Sequence, residues 1–308
     1  MTVKNINHRL EQLIDSLSIK NGKETYLKNQ IKYLLRGLKK VSLYDFEYPH
    51  NNIQTLSNHL GITRFWYCGS YDRGVCIDTE FDIDIDIVYD DHPNKHEIEI
   101  AVDSLTGEIL FTFLYEDLLE FQNKVNAGLN IIKTPPFSHA IPVSLDYQQQ
   151  TLLVDCIPAL ELPNGYLIVP DGWEDIKKVN QILEEKGLSK VNKKTNGSAT
   201  KLIWLLKYWN WYWNKPLKSY VIQRLVEEIF KNRAIKNWST SVQVFFNHSI
   251  NILDKYYNNQ LVLKDRVYTQ KTILDDYNIR EIEKFYESLH EAKEFAIKGE
   301  WNELFGNV

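Results

Sequence analysis

Asp82, Asp84 and Asp86 alternate with Ile83, Ile85 and Ile87. Successive side chains of a strand point to opposite faces, so this spacing puts three carboxylates on one face and three isoleucines on the other. Three neighbouring negative charges repel. The arrangement makes chemical sense if a hard divalent cation neutralises them, since Mg²⁺ takes carboxylate and water oxygens. Alternation alone does not decide whether Asp82 with Asp84, or Asp84 with Asp86, forms the metal pair. A further acid, Asp155, interrupts the otherwise apolar run Thr151-Leu-Leu-Val-Asp-Cys-Ile-Pro-Ala. A buried lone carboxylate is costly, so Asp155 needs a cation or hydrogen-bond donors and is predicted to complete the cluster.

Upstream lies Trp66-Tyr-Cys-Gly-Ser-Tyr-Asp-Arg-Gly-Val. A strand running into Gly69-Ser70 turns sharply there, which lets backbone N–H groups and the Ser70 hydroxyl face phosphate oxygens. By itself a Gly-Ser pair is an ordinary turn, and its placement about a dozen residues before the aspartates gives it meaning. The eight histidines show no metal-ligand spacing, with His92 and His96 flanking a proline in an expected loop.

The elements that must carry these residues fall into two groups. Apolar residues at helical spacing predict helices over 6–18 and 25–39. Short β-rich runs at 63–68, 82–89, 109–114, 140–147 and 151–157 predict one mixed sheet, with a helix over 116–130. Beyond Pro158 the pattern becomes helical, over 172–186, 197–213, 217–231, 240–257 and 278–304. The expected architecture is therefore α+β and two-lobed, with residues 1–160 as the sheet core and its N-terminal helices, and 161–308 as a helical lobe. The turn-rich stretch from Pro163 to Gly172 is the expected link between them.

Composition narrows the function. A chain of 308 residues with 44% hydrophobic and 25% charged residues is long and apolar enough to bury either one large core or two modest ones. A net charge of −5 supplies no global field for a nucleic-acid backbone, so small-molecule substrates are favoured over polynucleotides. Lys190, Lys193, Lys194 and Lys201 are read as a solvated face. Cys68, Cys76 and Cys156 have no Cys-x-x-Cys spacing and fit a reducing compartment. With no signal-peptide core and no run of about 18 apolar residues, the expectation is a cytoplasmic protein without a membrane span.

Gly69-Ser70-x3-Gly74, then Asp82-x-Asp84, then Val-Asp-x-x-Pro-Ala at 154–159 resembles the polymerase-β-type nucleotidyltransferase superfamily. More narrowly, Asp155 to Ala159, the Gly165–Gly172 loop, Leu202-Ile-Trp-Leu-Leu-Lys-Tyr-Trp209 and Leu217-Lys-Ser-Tyr220 resemble the cGAS/DncV-like nucleotidyltransferases (CD-NTases) and oligoadenylate synthases. The segment from Glu291 through Gly306 resembles the closing helix of the bacterial members. Two positions depart from the family pattern: Val75 stands where threonine is usual, and Phe81 where serine is often found.

The resemblance implies a two-lobed nucleotidyltransferase with Asp82, Asp84 and Asp155 holding two Mg²⁺ ions, Mn²⁺ being a substitute. It assigns Gly69 and Ser70 to phosphate binding, Lys207 and Ser219 to the triphosphate tail, and Tyr220 to stacking on the base. Lys207 also lies off the apolar stripe of Leu202, Leu206, Trp209 and Trp213, which leaves its ammonium available to a cleft. Trp204, Trp209, Trp211 and Trp213 are read as packing. The implied substrates are nucleoside triphosphates, ATP, GTP or a pyrimidine nucleotide. The implied product is a cyclic or linear oligonucleotide messenger in CBASS-type antiphage defence, with regulatory or effector proteins as partners. An RNA-tailing or CCA-adding transferase, and a catalytically silent nucleotide sensor, are the alternatives.

Overall fold

The computed structural model describes residues 3–19, 21–38, 61–90, 107–125, 130–131, 139–147, 150–162, 164–172 and 175–307. His92 and His96 fall outside them. The chain forms two compact units, and neither is continuous in sequence. One comprises Lys20–Asp72 and Phe81–Asn180, the other Met1–Ile19, Arg73–Glu80 and Gln181–Val308.

The first unit is built on a seven-stranded mixed sheet. Its strands are β1 (Gly61–Cys68), β2 (Asp82–Asp90), β3 (Asn130–Ile131), β4 (Ile141–Tyr147), β5 (Gln150–Glu161), β6 (Leu167–Pro170) and β7 (Ile176–Val179). The order is β1-β2-β5-β4-β3, with β6 pairing β5 and β7 pairing β6. Only β2 and β5 run parallel among these pairs. Ile83, Ile85 and Ile87 of β2 and Val154 and Cys156 of β5 are buried in one core, packed with Leu27, Ile31 and Leu34 of helix α2 (Asn21–Leu38). The alternation in β2 thus serves its purpose: one face is sealed by helices and the carboxylates are sent to the other.

Residues 109–114, predicted as a strand, lie instead inside a helix, Gly107–Val125. Ile109, Leu110, Leu114 and Leu118 of that helix are buried in the same core. A short apolar run of this kind reads equally as buried strand or buried helix, and here the sheet supplies the partner face that selects the helix. The helix predicted to reach residue 130 is described as far as Val125, and Asn130–Ile131 form β3.

In the second unit α1 (Val3–Ser16) places Ile6, Leu10 and Ile14 at i, i+4, i+8 and buries them in a helical core. The remaining helices of that core span Gln181–Thr195, Ser198–Tyr212, Ser219–Phe230, Trp238–Tyr257, Ile279–Lys298 and Trp301–Phe305. Trp209 is fully buried and meets Phe246 edge-on, with ring centroids 4.9 Å apart. Trp204 and Trp213 pack at the margin of the core, whereas Trp211 is exposed. The helix of residues 279–298 is closed at both ends, by an Asn278–Glu281 capping box and by Gly299 in the left-handed region.

The expected division near residue 160 differs from this arrangement in three ways. The sheet continues through β6 and β7 to Val179, where a helix over 172–186 is expected. The first helix packs with the C-terminal helices rather than with the sheet. A short internal segment, Arg73–Glu80, also belongs to the helical unit. No described helix is long and apolar enough to cross a membrane.

Candidate active site

Strand β1 ends at Cys68 and passes into a single helical turn, Gly69–Asp72. Gly69 has φ +64°, and a Cβ built on it would stand 1.6 Å from Asp84 Oδ2. Both the backbone conformation and the space therefore demand glycine. The next residue, Ser70, donates from Oγ to Asp82 Oδ1 at 3.5 Å, a long contact. The Gly-Ser turn and the first two aspartates of β2 are thus neighbours.

Parallel pairing of β2 with β5 puts Asp84 directly opposite Asp155. The residues on either side, Ile83 with Val154 and Ile85 with Cys156, point into the core, so both carboxylates occupy the other face. Burial raises the Asp155 carboxyl above its ordinary range, and the charge of Asp82 pushes it the same way. Asp82 is exposed and Asp84 half-buried, while Asp86 is only 1% exposed, flanked in register by Trp66 and Ile157. The three aspartates of the ladder accordingly occupy three environments, and the one furthest from Gly69-Ser70 is the least accessible.

These groups are hard oxygen donors suited by type to Mg²⁺. As the side chains stand, no three His, Cys, Asp or Glu side chains among the described residues converge at ligand spacing. Register and donor chemistry fit the ion.

Two departures from the family pattern acquire physical reasons. Val75 is buried in the helical core. Its segment is tied down there by Trp204 Nε1 donating to the Gly74 carbonyl at 3.0 Å and by Arg73 Nε donating to Gln223 Oε1 at 2.8 Å. Phe81 meets Tyr71 edge-on at 6.0 Å, with the Lys23 ammonium 4.7 Å from its ring centroid.

The remaining residues named from sequence lie in the helical unit. Lys207 is 2% exposed, and among the described residues its ammonium has no hydrogen-bond or ion-pair partner. Ser219 opens the helix Ser219–Phe230. The approach to it is fixed by buried Asn210, whose amide donates to Leu217 O at 2.7 Å and accepts from Leu217 N at 2.8 Å. The Tyr220 hydroxyl accepts a hydrogen bond from Arg224 Nη1 at 3.0 Å. Burial raises its proton affinity strongly, with a smaller push from the Glu184 charge.

Sequence reasoning missed Arg73, Asn210, Arg224, Glu227 and Arg266. Only the apolar stripe of residues 219–230, interrupted by Gln223, Arg224 and Glu227, hints at a buried polar group there.

No protein-family model matches the chain. A probable cyclic nucleotide synthase of Bacillus cereus (strain VD146) is 25% identical over 203 residues, a match covering 60% of this chain and 61% of that protein. Among solved structures, Escherichia coli MS115-1 CdnC in complex with HORMA-deltaN aligns with a TM-score of 0.71 at 14% identity, covering 99% of each chain. The Bradyrhizobium diazoefficiens CD-NTase CdnG in complex with GTP gives 0.68 at 12%, covering 98% of this chain and 96% of that one. Vibrio cholerae DncV cyclic AMP-GMP synthase, in complex with the linear intermediate 5′ pppA(3′,5′)pG, gives 0.67 at 11%, covering 96% and 92%. The fold of this chain is that of the CD-NTases.

Proposed function

We propose that this protein is a nucleotidyltransferase that joins nucleoside triphosphates into a cyclic, or linear, oligonucleotide messenger with release of pyrophosphate. The observation that carries the reading is the accessible Asp82, Asp84, Asp155 face set against the Gly69-Ser70 turn, within a CD-NTase fold. Similar proteins have been solved with ATP (CdnC), with GTP (CdnG) and with a linear dinucleotide intermediate (DncV), which supports nucleoside triphosphates as substrates.

Asp82, Asp84 and Asp155 would hold two Mg²⁺ ions, which when bound lower the pKa of an acceptor hydroxyl and neutralise a donor triphosphate. The backbone N–H groups following Gly69, and the Ser70 hydroxyl, would bind phosphate oxygens. Lys207 and Ser219 would bind the triphosphate tail, and Tyr220 would stack on the base. Attack of a ribose hydroxyl oxygen on the α-phosphorus forms the new P–O bond and breaks the bond to the pyrophosphate leaving group. A role in antiphage signalling, with regulatory or effector protein partners, belongs to the same reading and draws on the HORMA complex of CdnC.

The test is incubation of the purified protein with each labelled nucleoside triphosphate and Mg²⁺ or Mn²⁺, followed by separation of products before and after phosphatase treatment. A phosphatase-resistant oligonucleotide is the expected result. Absence of any nucleotide product under all combinations, including added transfer RNA, would leave only nucleotide binding and overturn the enzymatic reading.

A further inference from the structure

Below Tyr220 lies a buried polar group that the apolar core of the helical unit does not need for packing. Glu227 is 6% exposed, and its carboxylate receives Arg266 Nη2, Gln223 Nε2 at 2.8 Å and Arg224 Nε at 3.5 Å. Arg224 also donates to Lys264 O at 2.8 Å and to the Tyr220 hydroxyl at 3.0 Å, with its guanidinium carbon 5.8 Å from the centroid of the tyrosine ring. Arg266 is itself seated by Glu184, through the carboxylate at 2.8 Å and the backbone carbonyl at 2.6 Å.

The seat of Arg266 has been made at a cost. Gly187 stands inside the helix Gln181–Thr195, where glycine weakens a helix relative to alanine. A Cβ at that position would come within 1.8 Å of Arg266 Nη2. Two arginines thus face two acids, so the group is balanced in charge. Such buried ion groups add little net stability over apolar replacements of the same volume, because desolvation offsets the attraction. What this one does provide is fixed geometry at its outer end, which is Tyr220.

We propose that Glu227 is a positioning residue for nucleotide binding: it holds the Arg224 guanidinium against the Tyr220 hydroxyl, so that the ring keeps one posture for the base. The inference rests on the assignment of Tyr220 to base stacking. Pre-set orientation lowers the ordering cost of binding, so loss of Glu227 acts on nucleotide affinity more than on turnover at saturation.

The test is a double-mutant cycle with ATP, GTP, CTP and UTP titrated separately, in Ca²⁺ to prevent turnover, and melting temperatures measured alongside. Tyr220→Ala is expected to weaken the preferred nucleotide about 10-fold. Glu227→Gln alone is expected to weaken it about 3- to 10-fold, and by less than about 2-fold in the Tyr220→Ala background. In Mg²⁺, Glu227→Gln should raise KM more than it lowers kcat. If Glu227→Gln does not fold, Arg224→Lys and Gly187→Ala enter the same cycle, since both disturb the group from other sides. A folded variant with unchanged affinity, or a loss that adds in full to that of Tyr220→Ala, overturns the inference while leaving the stacking assignment standing. Unchanged affinity in Tyr220→Ala removes the stacking assignment and this inference with it.

Discussion

The molecule holds two concentrations of charge that burial treats alike and neighbours treat differently. At Asp155 and at Glu227 burial is the main influence raising the carboxyl above its ordinary range. Around Asp155 the next influence is the charge of Asp82, which pushes further in the same direction. At Glu227 the next three, Arg266, Gln223 and Arg224, push back. The difference teaches what each group is for. Charges balanced inside the protein hold a shape, whereas an acid whose charged neighbour is another acid favours the approach of a cation.

The largest effects should come from breaking the accessible group. Asp84→Asn is expected to reduce pyrophosphate release below detection at a fixed Mg²⁺ concentration. Asp86→Asn, at the buried end of the same ladder, should retain measurable synthesis, with a loss of no more than about 10- to 100-fold. The opposite pattern, with Asp86→Asn dead and Asp82→Asn active, would shift the working pair to Asp84 with Asp86. The double variant Asp82→Ala with Asp84→Ala should keep its metal-free fold, read by circular dichroism.

An intermediate effect should appear in stability and should have opposite signs in the two groups. Removing one member of a balanced buried set leaves uncompensated charge, so Glu227→Ala is expected to destabilise by about 3 to 5 kcal/mol in urea unfolding. Asp155→Asn in metal-free buffer removes a repelled carboxylate and should raise the melting temperature. A fall in melting temperature for Asp155→Asn would mean that its carboxylate is satisfied by hydrogen bonds.

The smallest expected effect is on pH dependence. Because Glu227 binds its proton more tightly in the folded chain than in the unfolded one, its contribution to stability is full below the ordinary glutamate pKa. That contribution is lost as pH rises through the raised value. As pH rises above the ordinary glutamate range the variant Glu227→Gln should therefore lose stability less steeply than the parent protein. Identical slopes by thermal melting would show that Arg266 and Arg224 hold the carboxylate ionised across that range.

Much of the candidate site could be read from the chain because its geometry is local. Alternation fixed the face of Asp82, Asp84 and Asp86, and one acid in an apolar strand marked Asp155. What alternation could not provide was the difference in exposure between Asp82 and Asp86, which depends on the neighbouring strands β1 and β5. The run 109–114 was misread because a short apolar stretch has no period of its own, and the surface that buries it decides its form. Arg73, Arg224, Glu227 and Arg266 could not be found by spacing, since Arg73 and Arg266 are brought to Gln223 and Glu227 from 150 and 39 residues away. Lys207 was placed from its resemblance, and the burial of its side chain is a property that only packing reveals.

The interval between Ser70 and Asp82 has a consequence for how the protein is made. The chain crosses from the sheet unit to the helical unit after Asp72 and returns at Phe81, and α1 also belongs to the helical unit. During synthesis, α1 and the Arg73–Glu80 segment leave the ribosome long before the helices that bury them, while the sheet can close once residue 180 has emerged. Val75 and the apolar face of α1 must therefore wait, uncovered, for the last 128 residues of the chain, from Gln181 to Val308. No single cut of the polypeptide yields either unit whole, so a fragment beginning at Gln181 would lack part of its own core.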